Sequence, residues 1–477
     1  MTDPMFFLRA TTSVRSLIHR LPVVGSIVFG SLLVWPLLVA FPINGGDALW
    51  VSQSARALVG CARQGDWSNC PGTFQFGLTQ HLPAIFLTWR GLGDDAVVFI
   101  LTLINFMAFG WLLVRGIRFF GRGSRSMWLF LLTFAVGPVY AYSVYSFSEG
   151  LTLVFLVALV IELATRQRFI VLLLLAFVSA SSRETAFLTI APLALAVVIS
   201  DGGSWRKWLL RLRPILIGTA CGVAAVFWFN FWKFGTLANP HYTDPIRRVP
   251  GLTLKAKNAA AIWISPSGGV LPVWVIGGAL ALFVPAMALV GFRRNRGKSI
   301  AAVCLIVGLV AQTGLLASWY APFGWVAWGP RLILPVVGAT AFIAVFLFNE
   351  QIERVMSFFK WRIGATGLGL SVLILSVLPN LGFILDRTAI ANWFTPPGPL
   401  LIPGCVEPAN VELNRQNYFD CALDFAPWQL GRTLWDVGLH QVGRGWATIC
   451  GLFVLSMAAG LATARTTPTG DKTLLDG

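Results

Sequence analysis

Pro42-Ile43-Asn44-Gly45-Gly46-Asp47-Ala48-Leu49-Trp50 follows directly on the apolar run 23–41. That run has roughly the 20 residues a bilayer span needs. Where it stops, a flexible Gly-Gly pair presents the Asp47 carboxylate at the membrane surface instead of burying it in hydrocarbon. A helix-like segment, 48–59, comes next, followed by Cys61 and Cys70. The stretch then closes with the amphipathic piece Phe74-Gln75-Phe76-Gly77-Leu78-Thr79-Gln80-His81-Leu82-Pro83, which leads to Trp89. A plain connector between two spans rarely carries this many polar and aromatic residues. The stretch 42–89 reads as an active-site loop and the rest of the chain as its scaffold.

The composition supports a membrane scaffold. Of 477 residues 56% are hydrophobic and 12% charged, and the mean hydropathy is +0.73. Soluble domains carry about 25% charged residues, so an all-α polytopic membrane protein is expected. The formal charge of +16 would suit a nucleic-acid binder. The charges, however, sit in short clusters between apolar runs, and no nucleic-acid partner is expected. The segment 1–22 carries Arg9, Arg15 and Arg20 ahead of a run long enough to span, with no small-x-small cleavage site after it. An uncleaved signal-anchor is expected.

Apolar runs fall at 23–41, 96–114, 127–145, 150–164, 169–182, 185–200, 215–232, 270–291, 300–318, 332–348, 365–385 and 446–464. Twelve transmembrane helices place both termini on one side. With the termini cytoplasmic, inside segments hold 22 Lys and Arg against 7 acids, net +15; outside segments hold 14 against 13, net +1. That is the positive-inside pattern of a plasma-membrane protein. The expected organisation is a cytoplasmic N-terminus 1–22 and a catalytic core 23–348 with the external loop 42–95. C-terminal helices 349–464 with an external cap 386–445 and a cytoplasmic tail 465–477 complete it. Inside loops are short and carry no Walker or dinucleotide motif, so function is sought on the outer face.

Cys61 and Cys70 share the first outer loop and Cys405 and Cys421 the last, whereas Cys221, Cys304 and Cys450 fall in spans. Outer-face thiols meet an oxidising compartment, and local Cys61–Cys70 and Cys405–Cys421 disulfides are expected, against free thiols or cross-loop pairing. CxxC spacing and companion histidines are missing, which argues against zinc.

Several outer residues admit a chemical and a structural reading. Asp47 is either a general base for a hydroxyl or an N-cap. Glu149, at the start of a span, is either a cap or a partner of Asp47 in binding a cation. Arg183, beside Glu184, either contacts a phosphate or acceptor or pairs with its neighbour. Asp94 and Asp95 follow Gly93 at a helix start and read as caps. Lys255 and Lys257 belong to a basic outer loop that attracts phosphate or is merely solvated. Arg331 closes the aromatic run 319–330 at the outer mouth of a span, where a lone Arg usually has a partner.

Together these residues resemble the GT-C superfamily of membrane glycosyltransferases. The resemblance rests on Gly46-Asp47, the 74–89 segment, Tyr145 to Gly150, Ser182-Arg183-Glu184, Trp263 to Gly269 and Trp328-Gly329-Pro330-Arg331. It covers about 23–348. It implies an inverting transfer of a sugar, mannose or another hexose or pentose, from a polyprenyl-phosphate donor to a glycan, lipid or protein acceptor in cell-envelope glycan biosynthesis. Asp47 would be catalytic, and Arg331, Arg183, Glu149, His81, Lys255 and Lys257 would bind donor phosphate or substrate. Asp47 stands without an Asp-x-Asp partner, so no cofactor is assigned and a divalent cation stays an open question. The other readings are a transporter or flippase of lipid-linked sugars, or an oligosaccharide polymerase or ligase.

Overall fold

A computed structural model describes residues 47–354 and 357, apart from 75, 122–123, 136, 145–147, 184, 241–247, 250, 265–268, 291–294 and 320–330. The runs 23–41, 365–385 and 446–464, the cap 386–445 and the Cys405–Cys421 pair lie outside the described residues.

Every named element is helical, as a bilayer requires of a chain that must satisfy its backbone within each segment. In order they are α1 (Asp47–Arg63), α2 (Leu78–Trp89), α3 (Asp94–Phe120), α4 (Arg125–Phe134), α5 (Pro138–Val144), α6 (Ser148–Ala164) and α7 (Phe169–Ser182). There follow α8 (Phe187–Ser200), α9 (Trp205–Phe234), α10 (Leu252–Ile264), α11 (Val270–Val273), α12 (Val275–Val290) and α13 (Arg296–Ala317). A 3-10 turn, Arg331–Ile333, then leads into α14 (Leu334–Leu347). Helices α3, α9 and α13, of 27, 30 and 22 residues, are long and apolar enough to cross a membrane. Each turns large apolar side chains outward, among them Met107 and Trp111, Trp228 and Phe231, Val307 and Val310. A soluble protein would not leave such a belt uncovered; lipid would cover it.

Nearly every residue of α6 and α14 is buried, so these two helices form the centre of the bundle. Around them α7 packs on α9 through small residues. A Cβ on Gly218 would stand 2.2 Å from Leu173 O, and one on Gly222 would stand 2.8 Å from Ala180 Cβ. This Gly-x3-Gly contact lets two backbones approach where burial against lipid supplies no drive.

Two expected spans are broken. The run 127–145 divides into α4 and α5 before Pro138, whose ring supplies no N–H and disfavours a helical predecessor. The run 270–291 divides at Trp274. The two breaks meet: Trp274 Nε1 donates to Thr133 O at 2.8 Å, a carbonyl near the end of α4.

Outside the bundle, α1 and α2 pack on the start of α3 through Ala48, Val51, Ala55, Ala84, Val97 and Val98. Asp94 does not cap α3, whose N-cap is Gly93. Its carboxylate accepts from Ser52 Oγ at 2.8 Å and pairs with Arg56, so it fastens α1 to α3. Cys61 and Cys70 are disulfide-bonded with Cα atoms 6.0 Å apart.

Candidate active site

The two central helices bring their N-terminal ends to one place. Asp47 opens α1, Glu149 lies in the first turn of α6, Arg183 is the C-cap of α7, and Arg331 begins the turn into α14. Both carboxylates therefore sit at helix N-termini and Arg183 at a C-terminus, the placements each charge favours.

The four side chains form one alternating cluster. Arg331 Nη2 donates to Asp47 Oδ2 at 2.5 Å and Arg331 Nε donates to Glu149 Oε1 at 2.9 Å. Arg183 Nη1 lies 2.9 Å from the same Glu149 oxygen. Ser148 donates twice, its N–H to Asp47 Oδ2 at 3.5 Å and its hydroxyl to Glu149 Oε2 at 3.1 Å. Asp47 is 4% exposed and Glu149 0%, so neither carboxylate relies on water for its charge. Two acids and two guanidiniums balance, which is how buried charges are tolerated. Burial is the largest influence on Asp47, which lies outside the spans. It pushes the carboxyl up to about 6 against the downward pull of Arg331, and Glu149 adds to the rise.

Of the seven residues singled out from the sequence, the structure thus joins Asp47, Glu149, Arg183 and Arg331. His81 stands apart. Its ring is buried, with Nδ1 3.0 Å from Gly77 O and Nε2 2.9 Å from Ser54 Oγ. A carbonyl only accepts, so Nδ1 carries the proton and Nε2 accepts from the Ser54 hydroxyl. Burial, and then Lys233 nearby, lower its pKa to about 3. This histidine is neutral and braces α2 against α1 instead of offering charge to a phosphate. Lys255 is half-buried and Lys257 exposed on α10. Among the described residues, neither forms an ion pair with the cluster. Glu184 lies outside the described residues.

Lys233, at the end of α9, escaped sequence reasoning. It is 1% exposed, and its Nζ donates to Phe76 O at 2.9 Å and Phe74 O at 3.3 Å while lying over the Phe229 and Phe234 rings. A basic residue at the end of an apolar run ordinarily reads as snorkelling to the interface, so sequence carried no sign of this anchor. Ser148 and Ser182 were quoted in motifs without a role; Thr152 Oγ1, which donates to Ser182 Oγ at 2.9 Å, ties α6 to α7 beside the cluster.

Among the described residues no group of three or more His, Cys, Asp or Glu side chains is placed to hold a metal ion. Asp47 and Glu149 instead share the Arg331 guanidinium.

No protein-family model matches the sequence, and no curated protein matches it. Two solved structures are similar. The crystal structure of ArnT from Cupriavidus metallidurans bound to undecaprenyl phosphate is 13% identical with a TM-score of 0.43, over 94% of this chain and 78% of that one. The apo state of the same protein is 13% identical with a TM-score of 0.43, over 95% of this chain and 78% of that one.

Proposed function

We propose that the chain is an integral-membrane glycosyltransferase. It moves a sugar from a polyprenyl-phosphate donor to an acceptor hydroxyl on the extracytoplasmic face of the plasma membrane, with inversion. The observation that carries this reading is the buried Asp47–Arg331–Glu149–Arg183 cluster, which joins a carboxylate of raised pKa to two guanidiniums at one end of the bundle. A base that works near neutrality and a cationic site for a leaving phosphate are the two requirements of such a transfer.

In this scheme the acceptor hydroxyl gives its proton to Asp47 as its oxygen bonds to the anomeric carbon. The bond from that carbon to the phosphate oxygen breaks, and the lipid phosphate leaves with the electron pair. Arg331 and Arg183 stabilise the charge that grows on it; guanidinium geometry suits two phosphate oxygens at once. Arg331 starts out on Asp47. An arriving phosphate competes for it, and each step of Arg331 away from Asp47 removes the influence that holds the carboxyl down. Donor binding therefore strengthens the base. The apolar belt of α3, α9 and α13 would face the lipid in which the polyprenyl tail lies.

The position of the charges favours this over the transporter or flippase reading. Transporters place binding charges near mid-membrane on broken helices, whereas these four stand at helix ends.

The test is Asp47→Asn, which keeps size and helix-terminal hydrogen bonding but removes the basic oxygen. With purified protein of matched thermal stability, transfer should fall by about two orders of magnitude or more. Near-normal turnover would remove Asp47 from the chemistry.

A further inference from the structure

Helix α9 has 30 residues, about 45 Å at 1.5 Å per residue, against a hydrocarbon layer of about 30 Å. Its C-terminal end is tied to the loop that carries Cys70 and Phe76, so the excess length falls at its start. The packing on α7 locates that excess. A Cβ on Gly218 would meet Leu173 O and one on Gly222 would meet Phe177 O. The offset is the same in both places, so Phe169, the first residue of α7, stands level with Pro214. Residues 205–213 therefore project roughly 13 Å past α7, at the end of the bundle away from Asp47. One side of this overhang stays on the protein: Leu212 is buried, and Arg211 Nη2 donates to Leu163 O at 3.1 Å. The opposite side is open. Seven residues apart, Arg206 and Arg213 fall within about 20° of each other on it, between Trp205 and Leu209 on one hand and Leu210 and Ile217 on the other. All six are exposed, and the Arg206 guanidinium lies 5.7 Å from the centre of the Trp205 ring.

Among the described residues, the acids at this end are Glu162, Asp201, Glu350 and Glu353, and each is already taken, by Arg168, Arg211, Lys298 and Arg125 in turn. None of them pairs with Arg206 or Arg213. We infer that this face of α9 binds an anionic phospholipid, whose phosphate the two arginines hold while its acyl chains cover Leu209, Leu210 and Ile217. The inference is independent of the chemistry at Asp47. A soluble anion would satisfy the arginines but leave the two flanking apolar rows in water. A zwitterionic lipid would cover those rows, but its own cation competes for the phosphate. A second copy of the same face would bring arginine against arginine. An amphiphile with a net negative head answers both features at once. A guanidinium grips two phosphate oxygens, and Trp205 sits where an indole favours the boundary between headgroup and hydrocarbon. Arg213 stands about 10 Å nearer the hydrocarbon than Arg206 and reaches the same level by extending along the helix, as long cationic side chains do at the ends of spans. On the orientation that charge counting predicts, this is the cytoplasmic leaflet, where anionic lipids draw juxtamembrane cations.

The experiment titrates the purified full-length protein in detergent with dioleoyl phosphatidylglycerol or dioleoyl phosphatidylcholine and reads bound lipid by native mass spectrometry, with and without inorganic phosphate as competitor. Phosphatidylglycerol should bind about twentyfold more tightly than phosphatidylcholine, roughly fivefold for each arginine, and inorganic phosphate should not displace it. Arg206→Gln combined with Arg213→Gln should erase most of that preference, and either alone should lower it by about fivefold. Arg206→Lys with Arg213→Lys keeps the charge without the fork and should fall between; this pair also carries the test should the glutamine variants fold poorly. Arg296→Gln, which removes an exposed charge at the same end but on α13, should leave the preference intact. Equal affinity for the two lipids in the unaltered protein overturns the site. So does a preference that Arg296→Gln lowers as much as the double variant, since net charge would then be all that attracts the lipid. Displacement by inorganic phosphate would make the arginines a free-anion site and overturn the lipid as occupant. A dimer that the double variant dissociates, with lipid binding unchanged, would make the face an interface between copies and overturn it equally.

Discussion

Arg331 holds two carboxylates with one guanidinium, Nη2 on Asp47 and Nε on Glu149. Removing one partner from a buried ion cluster leaves uncompensated charge, at a cost on the order of 3–5 kcal/mol. That cost alone would make Arg331 matter for stability, so a chemical role needs a separate readout. The pH profile supplies one. As base, Asp47 must be ionised, and its carboxyl is pushed up to about 6. The kcat/KM of transfer, which reports the free protein, should therefore be full above that value and fall as pH drops through about 6. Arg331 is the largest of the influences that lower this pKa. In Arg331→Gln the inflection of the residual kcat/KM should move to higher pH, whereas Arg331→Lys, which keeps the charge, should leave it closer to the parent. An inflection unmoved in Arg331→Gln would separate Asp47 from the titrating base.

At the scale of elements, the breaks in two apolar runs support each other. The interruption before Pro138 releases the carbonyl of Thr133 from a regular helix, and the interruption at Trp274 swings an indole N–H to meet it at 2.8 Å. Trp274 is 2% exposed, so no water substitutes for that bond. Trp274→Phe keeps an aromatic ring but removes the donor. It should lower stability by roughly 1–3 kcal/mol, the cost of an unmet buried acceptor, read as a drop in the thermal unfolding midpoint in detergent. An unchanged midpoint would mean that the broken helices hold each other by packing alone. Helix α2 shows the same economy of polar contacts: Thr79 Oγ1 reaches Val178 O at 3.0 Å and Ser181 Oγ at 2.7 Å, docking α2 on the end of α7.

At the scale of the molecule, the charged pairs among the described residues sort to two ends. The Asp47 cluster occupies one. At the other, Glu162 takes a two-pronged hydrogen bond from Arg168, and Arg211 meets Asp201 at 2.8 Å. Arg125 meets Glu353 at 3.4 Å, and Lys298 meets Glu350 at 3.6 Å. Apart from Glu162, near the end of the run 150–164, each of these residues comes from a connection assigned to the basic side by charge counting, and none of the cluster residues does. The expected alternation of sides along the chain can be tested by labelling. On a cysteine-free background, an impermeant thiol reagent added to intact cells should label Gln64→Cys. It should reach Ser204→Cys after permeabilisation alone; both positions are exposed. Labelling of Ser204→Cys in intact cells would reverse the orientation.

Sequence alone determined the helical membrane class and where most of the described helices fall, and it set the expectation of which end of the bundle the chemistry occupies. These depend on run length and on charge counts, which are local and additive. It also marked Asp47, Glu149, Arg183 and Arg331 one by one, since an ionisable residue at the edge of an apolar run stands out. What tertiary structure decided is that these four are one cluster while His81 belongs to another. It also decided that Asp94 fastens two helices, that Lys233 is an internal anchor, and that two spans are broken where Trp274 meets Thr133. These facts join residues as far apart as Asp47 and Arg331. The helix packing that joins them arises from side-chain shape and from glycines such as Gly218 and Gly222. Hydropathy registers how apolar a helix is, but not which face of it another backbone will approach.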